Sequence, residues 1–266
     1  MPLYNFEGKE HHGTMLPRFV SRFYKKNMVM AEVGVWDGNS LKLYINIIKQ
    51  LNGKLYLIDW WKGETALEKG SPMEYRSEGY EKEYQKVLDI VEENDAKDNV
   101  VILRGDSVEM SKQIQDEELD LCFIDAGHSF EECKRDIIAY LPKVKNGGIL
   151  CGDDFDSAHS FYNYLSLVDT YTEEEISKDN VEGKGHPGVL QAVWETLGDN
   201  VLYSDDAWYH FKGYRPIRGV VGLAPEAWNS GTQDSISAGN IFRIKGGIML
   251  ESEGHSPLIE PASPLE

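Results

Sequence analysis

Four side chains able to do acid–base or metal chemistry fall within one stretch, Leu119–Asp154: Asp125, His128, Asp153 and Asp154. The stretch reads as an apolar run ending in Asp125, a short turn holding His128, a helix, a Gly147-Gly148 turn, and a second apolar run ending in Asp153 and Asp154. In a βαβ unit with parallel strands both run-ends reach the same edge of the sheet, where open α/β folds place their ligands. Three carboxylates and an imidazole then converge, although 28 residues separate Asp125 from Asp153. Oxygen donors suit a hard divalent cation, and an imidazole near its ordinary pKa can take a proton. On these residues alone a hydrolytic water activator fits as well as any other use of a metal.

A second chemical feature lies upstream, at Glu32-Val-Gly34-Val-Trp36-Asp-Gly38-Asn-Ser40. An apolar strand feeds this glycine turn and a helix opens near Ser40. The dinucleotide fingerprint G-x-G-x-x-G lets a pyrophosphate approach the helix N-terminus. Here the spacing is G-x-x-x-G, with Glu32 two positions before the first glycine. A carboxylate in the turn repels a pyrophosphate but suits a cofactor carrying an ammonium or sulfonium charge.

The elements that must position these groups follow from periodicity. Leu41, Tyr44, Ile47, Ile48 and Leu51 recur at helical spacing. The strand KLYLID ends in Asp59, about 20 residues after the turn, where an acidic residue reaches ribose hydroxyls. Residues 60–79 show no clear period, and so long a loop suits a lid or binding loop; Trp60 and Trp61 open it, and either an adenine or the sheet edge can take their rings. A helix is expected over roughly 80–95 with Tyr80, Tyr84, Val87, Leu88 and Val91 inside. The strand NVVILRG leads to Asp106 and Ser107. Ser129 and Glu132 fit a capping box, so the next helix begins just after His128, with Phe130, Cys133, Ile137 and Leu141 as its inner face and Pro142 as its stop. Beyond Asp154 the sequence reads as a polar loop with His159, a solvated charge run TEEEISKDN, a loop with His186 leading into a helix lined by Val189, Val193 and Leu197, and a closing antiparallel hairpin, VLYSDDAWYHFKG. His159 and His186 are further candidates for substrate contact.

Taken in order, these motifs resemble those of class I S-adenosylmethionine-dependent methyltransferases over about residues 28–213. Glu32–Ser40 looks like motif I. The FIDAGHSFEE…GGILCGDDF stretch is similar to the metal-dependent O-methyltransferases, of the catechol type and, more closely, the macrocin type that methylates sugars. The resemblance implies a doubly wound, Rossmann-like α/β domain with a seven-stranded, mostly parallel sheet. It implies that Glu32, Gly34, Trp36, Gly38, Ser40, Asp59, Trp60, Asp106, Ser107 and Asp125 bind S-adenosylmethionine. Asp125, Asp153 and Asp154 match the magnesium ligands, with Asp154 where catechol-type enzymes carry Asn, and His128 matches the base of the sugar-type enzymes. The expected reaction is methyl transfer to a hydroxyl of a small molecule, a sugar or glycosylated natural product, with a divalent cation, Mg²⁺, holding the acceptor. Two other readings stay open on the residues: a non-catalytic cofactor-binding module, and a NAD-dependent sugar oxidoreductase, against which Glu32 and the missing third glycine count.

Composition narrows the partners. The chain of 266 residues carries a formal net charge of −18, which argues against a nucleic-acid backbone or an anionic membrane as partner. Cys122, Cys133 and Cys151 lie in or beside apolar runs without metal-ligand spacing, as buried thiols of a reducing compartment do. The opening residues lack a signal-type apolar run, and a cytoplasmic protein is the expectation. Residues 1–213 are expected to form the catalytic domain. Residues 214–266 hold 5 of the 10 prolines and read as a β-rich or extended appendage for packing or homo-oligomer contact, with a disordered tail.

Overall fold

The structure is a computed structural model, and it describes residues 25–62, 80–155, 171–179, 181, 185–204, 207–216, 241–244 and 248–252. The expected lid residues from 63 to 79, His159, strand-like Ile217–Leu223 and the C-terminal tail lie outside the described residues.

Seven strands make one sheet: β1 (Val29–Val33), β2 (Lys54–Asp59), β3 (Val100–Arg104), β4 (Leu119–Ile124), β5 (Val144–Gly152), β6 (Leu202–Ser204) and β7 (Ala207–Phe211), in the order β3-β2-β1-β4-β5-β7-β6. β1 pairs in parallel with β2 on one side and β4 on the other, and β4 pairs in parallel with β5. Only β7 runs against its neighbours, closing the sheet as the hairpin expected at 201–213. Strand order reverses between β2-β1 and β4, so the C-terminal ends of β1, β2, β4 and β5 share the edge at a topological switch point.

The helices bury both faces. α1 (Leu41–Gln50) and α2 (Tyr80–Glu93) cover one, where Leu41, Tyr44, Ile45, Ile47 and Ile48 pack with Val87, Ile90, Val91, Leu57 and Phe123. α3 (Ser107–Ser111), α4 (Phe130–Tyr140) and α6 (Pro187–Leu197) accompany the other core, in which Cys133, Ile137, Tyr140, Val189, Leu190 and Val193 pack with Cys122, Ile124 and Leu150. Full burial of each such aliphatic side chain contributes roughly 1.5–3 kcal/mol. All three cysteines are buried free thiols. Among the described residues no helix is long and apolar enough to cross a membrane.

Several local expectations are corrected. In α2, Ile90 is buried and Leu88 only half-buried, because the helix leans its i, i+3, i+4 stripe through Val87, Ile90 and Val91. In α4 the inner face includes Asp136 and Tyr140 while Phe130 and Leu141 are half-buried. The expected capping box at Ser129 is not formed: Ser129 Oγ donates to the Glu132 carboxylate instead of capping the backbone. Gly147-Gly148 is not a turn but lies within β5, where the register with β4 shifts between Leu119 and Leu121. The charge run TEEEISKDN holds a short helix, α5 (Glu173–Ile176), opened by a genuine capping box between Thr172 and Glu175. Past the main sheet, β8 (Tyr214–Pro216), β9 (Ile241–Ile244) and β10 (Ile248–Ser252) form a three-stranded antiparallel sheet in the order β8-β10-β9.

Candidate active site at the strand edge

The glycine turn is held by the strand ends around it. Gly34 sits at φ +90°, and a Cβ there would come 1.8 Å from the Asp125 carbonyl oxygen, so the turn rests directly on the backbone that leaves β4. No other residue meets both conditions. Gly38, at φ +73°, lies under Val87 and Ile90 of α2. Glu32 is buried, and its two carboxylate oxygens accept from Ser40 Oγ and Tyr44 Oη. Burial pushes its pKa up to about 8, against those two hydrogen bonds, with the Asp125 and Asp59 charges adding to the rise. Glu32 and Ser40, expected at the cofactor, therefore tie β1 to the first turn of α1, and burial favours an uncharged Glu32 carboxyl, which would donate its proton to one of the two hydroxyl oxygens, over a counter-charge.

Asp59 binds the turn itself. Its Oδ2 accepts from the N–H groups of Val35 at 2.9 Å and Trp36 at 2.8 Å, and its Oδ1 accepts from Trp61 N–H at 2.8 Å. The N–H groups that a phosphate would need are thus occupied by an internal carboxylate. Trp36, at φ +48°, leaves 46% of its surface exposed at the rim, and its carbonyl accepts from the Trp61 indole at 2.7 Å. Trp61 is core, with its ring 4.9 Å from that of Tyr84. The indole nitrogen of half-buried Trp60 has no hydrogen-bond partner among the described residues.

Asp106 and Ser107 have structural duties. Asp106 caps α3 by accepting from Val108 and Glu109 N–H at 3.1 Å each, and it pairs with Arg135 at 2.8 Å. Ser107 Oγ donates to Asp136, whose carboxyl burial pushes up to about 6.

At the ends of β4 and β5 the cluster expected from the sequence assembles, with changed membership. His128 Nε2 lies 2.8 Å from Asp154 Oδ2 and 3.8 Å from Asp125 Oδ1. Its Nδ1 lies 2.9 Å from Asp179 Oδ1. His186 Nδ1 stands 3.4 Å from Asp154 Oδ1, and the two imidazole centroids are 4.8 Å apart. Asp154 adopts φ +60°, a left-handed conformation that a non-glycine residue holds at a cost of about 1–3 kcal/mol. Asp153 is buried beside it. Among the described residues, the donor atoms lying within 4.8 Å of one another are those of His128, Asp154 and His186, while Asp125 and Asp153 stand outside that group. Burial disfavours a charged imidazole at His128, but Asp125, Asp154 and Asp179 outweigh it and hold its pKa well above the ordinary value. The neutral imidazole expected from the sequence is not the state this ring of carboxylates favours.

Asp179 escaped the sequence reading because nothing in TEEEISKDN distinguishes it from solvated charge. A backbone bridge between Val181 and Gly185 returns the chain so that Asp179 and His186 both reach His128. Gly188, in the first turn of α6, seats this return: a Cβ there would come 2.5 Å from the His128 carbonyl and 2.6 Å from that of Ile176.

Residues 31–155 match a family model described as a methyltransferase domain. No curated protein matches the chain. Among solved structures, the O-methyltransferase TomG of Streptomyces achromogenes, in complex with S-adenosylmethionine, aligns at TM-score 0.50 and 12% identity, over 76% of this chain and 79% of that one. The O-methyltransferase NovP aligns at TM-score 0.48 and 17% identity, over 70% and 72%. At 12% identity the likeness to TomG speaks for the fold alone.

Proposed function

We infer that this protein moves a methyl group from S-adenosylmethionine to a hydroxyl of a small molecule at the edge formed by β1, β2, β4 and β5, a reading supported by the match of residues 31–155 to a methyltransferase-domain model. The observation that carries the cofactor class is Asp59 on the Val35 and Trp36 N–H groups. A dinucleotide needs those donors for its pyrophosphate, whereas a nucleoside with a sulfonium needs none of them and is favoured by the negative potential. The same observation disfavours a NAD-dependent oxidoreductase. TomG, one of the solved structures of like fold, is in complex with S-adenosylmethionine.

The donor set beside the turn fits a divalent cation: the Asp154 carboxylate and the imidazoles of His128 and His186 converge on one space, with the Asp125 carboxylate 3.8 Å from His128 Nε2 at its edge. A cation there supplies positive charge that acidifies an acceptor hydroxyl and fixes its oxygen. Asp125, half-exposed, has its backbone against Gly34 and its carboxylate toward His128, so it joins the cofactor turn to the cluster. Exposed Trp36 offers an apolar face at the rim for a bound ring. The acceptor class, a sugar or glycosylated compound, follows from the likeness of Asp125–Glu132 to the macrocin-type enzymes. Titration calorimetry with S-adenosylmethionine and with NAD⁺ tests the cofactor: binding of the first alone supports the reading, and binding of NAD⁺ alone refutes it. Radiolabelled methyl transfer to a panel of nucleotide sugars and glycosides, with phenols as controls, then tests the acceptor class.

A further inference from the structure

The sequence points to a cation held by oxygen alone, and the folded chain gathers nitrogen. His128 Nε2, Asp154 and His186 Nδ1 place one donor atom each within 4.8 Å of one another. The individual contacts are 2.8 Å for His128 Nε2 to Asp154 Oδ2 and 3.4 Å for His186 Nδ1 to Asp154 Oδ1. Donors that share an ion at about 2.0–2.2 Å span roughly this range of separations. The rings are tilted by 50°, so their nitrogens converge instead of stacking face to face.

A second observation is independent of that convergence. Asp179 Oδ1 lies 2.9 Å from His128 Nδ1, on the side of the ring away from Asp154. A ligating imidazole generally donates its other N–H to a carboxylate, which fixes the tautomer and leaves the lone pair on the metal side. His128 is placed for that arrangement once an ion replaces the proton that Nε2 otherwise shares with Asp154. His186 is held too, since it directly precedes Pro187 and the packing of Gly188 against the His128 and Ile176 carbonyls seats the first turn of α6.

We propose that His128, Asp154 and His186 form a two-imidazole, one-carboxylate centre for a divalent transition ion of the Mn²⁺, Fe²⁺, Co²⁺ or Zn²⁺ class, and that Mg²⁺ is not its ion. Magnesium takes oxygen ligands and dehydrates reluctantly, whereas imidazole suits the later ions. Three protein ligands leave positions for water or an acceptor oxygen, with Asp125 facing the same space. In this arrangement His128 is a ligand rather than the base of the reaction. The centre bears on the proposed methyl transfer, but its existence does not depend on that reading.

The test uses the full chain, stripped with a chelator and then titrated with Co²⁺, read by visible absorption, and with Mn²⁺, read by pulsed electron paramagnetic resonance for ¹⁴N coupling. Expected are ¹⁴N coupling in the wild type and retention of Co²⁺ against a hundredfold excess of Mg²⁺. H128Q and H186Q should each weaken Co²⁺ binding by at least about tenfold, since losing a direct ligand costs no less than losing its outer partner. D179N should weaken it less while circular dichroism shows all three variants folded. H128A and H186A provide a second pair should either Gln variant unfold. Absence of ¹⁴N coupling, displacement by equimolar Mg²⁺, or unchanged Co²⁺ affinity in H186Q would each overturn the proposal. Nitrogen-coupled Mn²⁺ in a protein that ignores S-adenosylmethionine would support the centre while sinking the methyltransferase reading.

Discussion

Replacing Glu32 by Gln separates its role as an internal tie from any role as a charge. The carboxyl is 2% exposed, and Ser40 and Tyr44 hydroxyls meet its two oxygens. Its pKa rises from 4.5 to about 8 because burial outweighs both hydrogen bonds. A folded-state pKa above the unfolded value means that stability is fully present below pH 4.5 and is lost progressively until the pH passes about 8. At about 1.36 kcal/mol per unit the whole loss is about 5 kcal/mol, of which about 2.7 kcal/mol falls between pH 6 and pH 9. Gln cannot ionise, and its amide reproduces one donor and one acceptor, as the protonated acid does. Glu32→Gln should therefore flatten the stability curve over that interval. Urea unfolding of both proteins at pH 6, 7, 8 and 9 measures the difference, and His128, Asp136 and other titrating groups common to both cancel. The variant should gain about 2–3 kcal/mol on the wild type between pH 6 and pH 9. Parallel profiles would show that Glu32 is ionised in the fold and that the tie is wrongly described.

Other perturbations address the remaining links. Gly34→Ala places a Cβ 1.8 Å from the Asp125 carbonyl at φ +90°, and thermal melting should show a loss of about 3 kcal/mol or more together with lost cofactor binding. Asp59→Ala removes the acceptor of three backbone N–H groups that fix the glycine turn, and S-adenosylmethionine affinity by calorimetry should fall by at least about tenfold, since a hydrogen bond to a charged group contributes about 1.5–3 kcal/mol. Trp36→Ala should leave stability within about 0.5 kcal/mol, because the ring is 46% exposed, while raising KM for cofactor or acceptor. Chelation should abolish methyl transfer, and add-back of Mn²⁺ should restore it; full activity after dialysis against EDTA would remove the cation from the reaction.

Much of the fold was legible because period and punctuation agree with packing. Val29–Val33 and Lys54–Asp59 are short apolar runs closed by a glycine turn and an acidic end, and α1 buries the stripe its spacing announces. Legibility failed where one sequence signal admits two structures. Gly147-Gly148 carries the composition of a turn but is absorbed into β5 beside a register shift, since pairing with β4 fixes its backbone. Asp136 looks like a solvent-facing helix residue, yet a hydrogen bond from Ser107 Oγ makes its burial tolerable.

The sequence by itself determined the edge at which the acidic and imidazole side chains gather. Acidic residues at the ends of apolar runs, a glycine turn and parallel strands can meet only at the C-terminal side of the sheet. It also determined that Asp125, His128 and Asp154 would be neighbours there. Tertiary structure alone decided which groups are charged and which converge. Glu32 became a neutral tie because α1 brought Ser40 and Tyr44 over it, and Asp59 took up the N–H groups of the turn because β2 ends beside β1. Asp179 and His186 joined the cluster through the return between α5 and α6, a contact 51 residues distant for the His128–Asp179 pair. No spacing rule carries such information, because the distance along the chain says nothing about which loop folds back over a strand end.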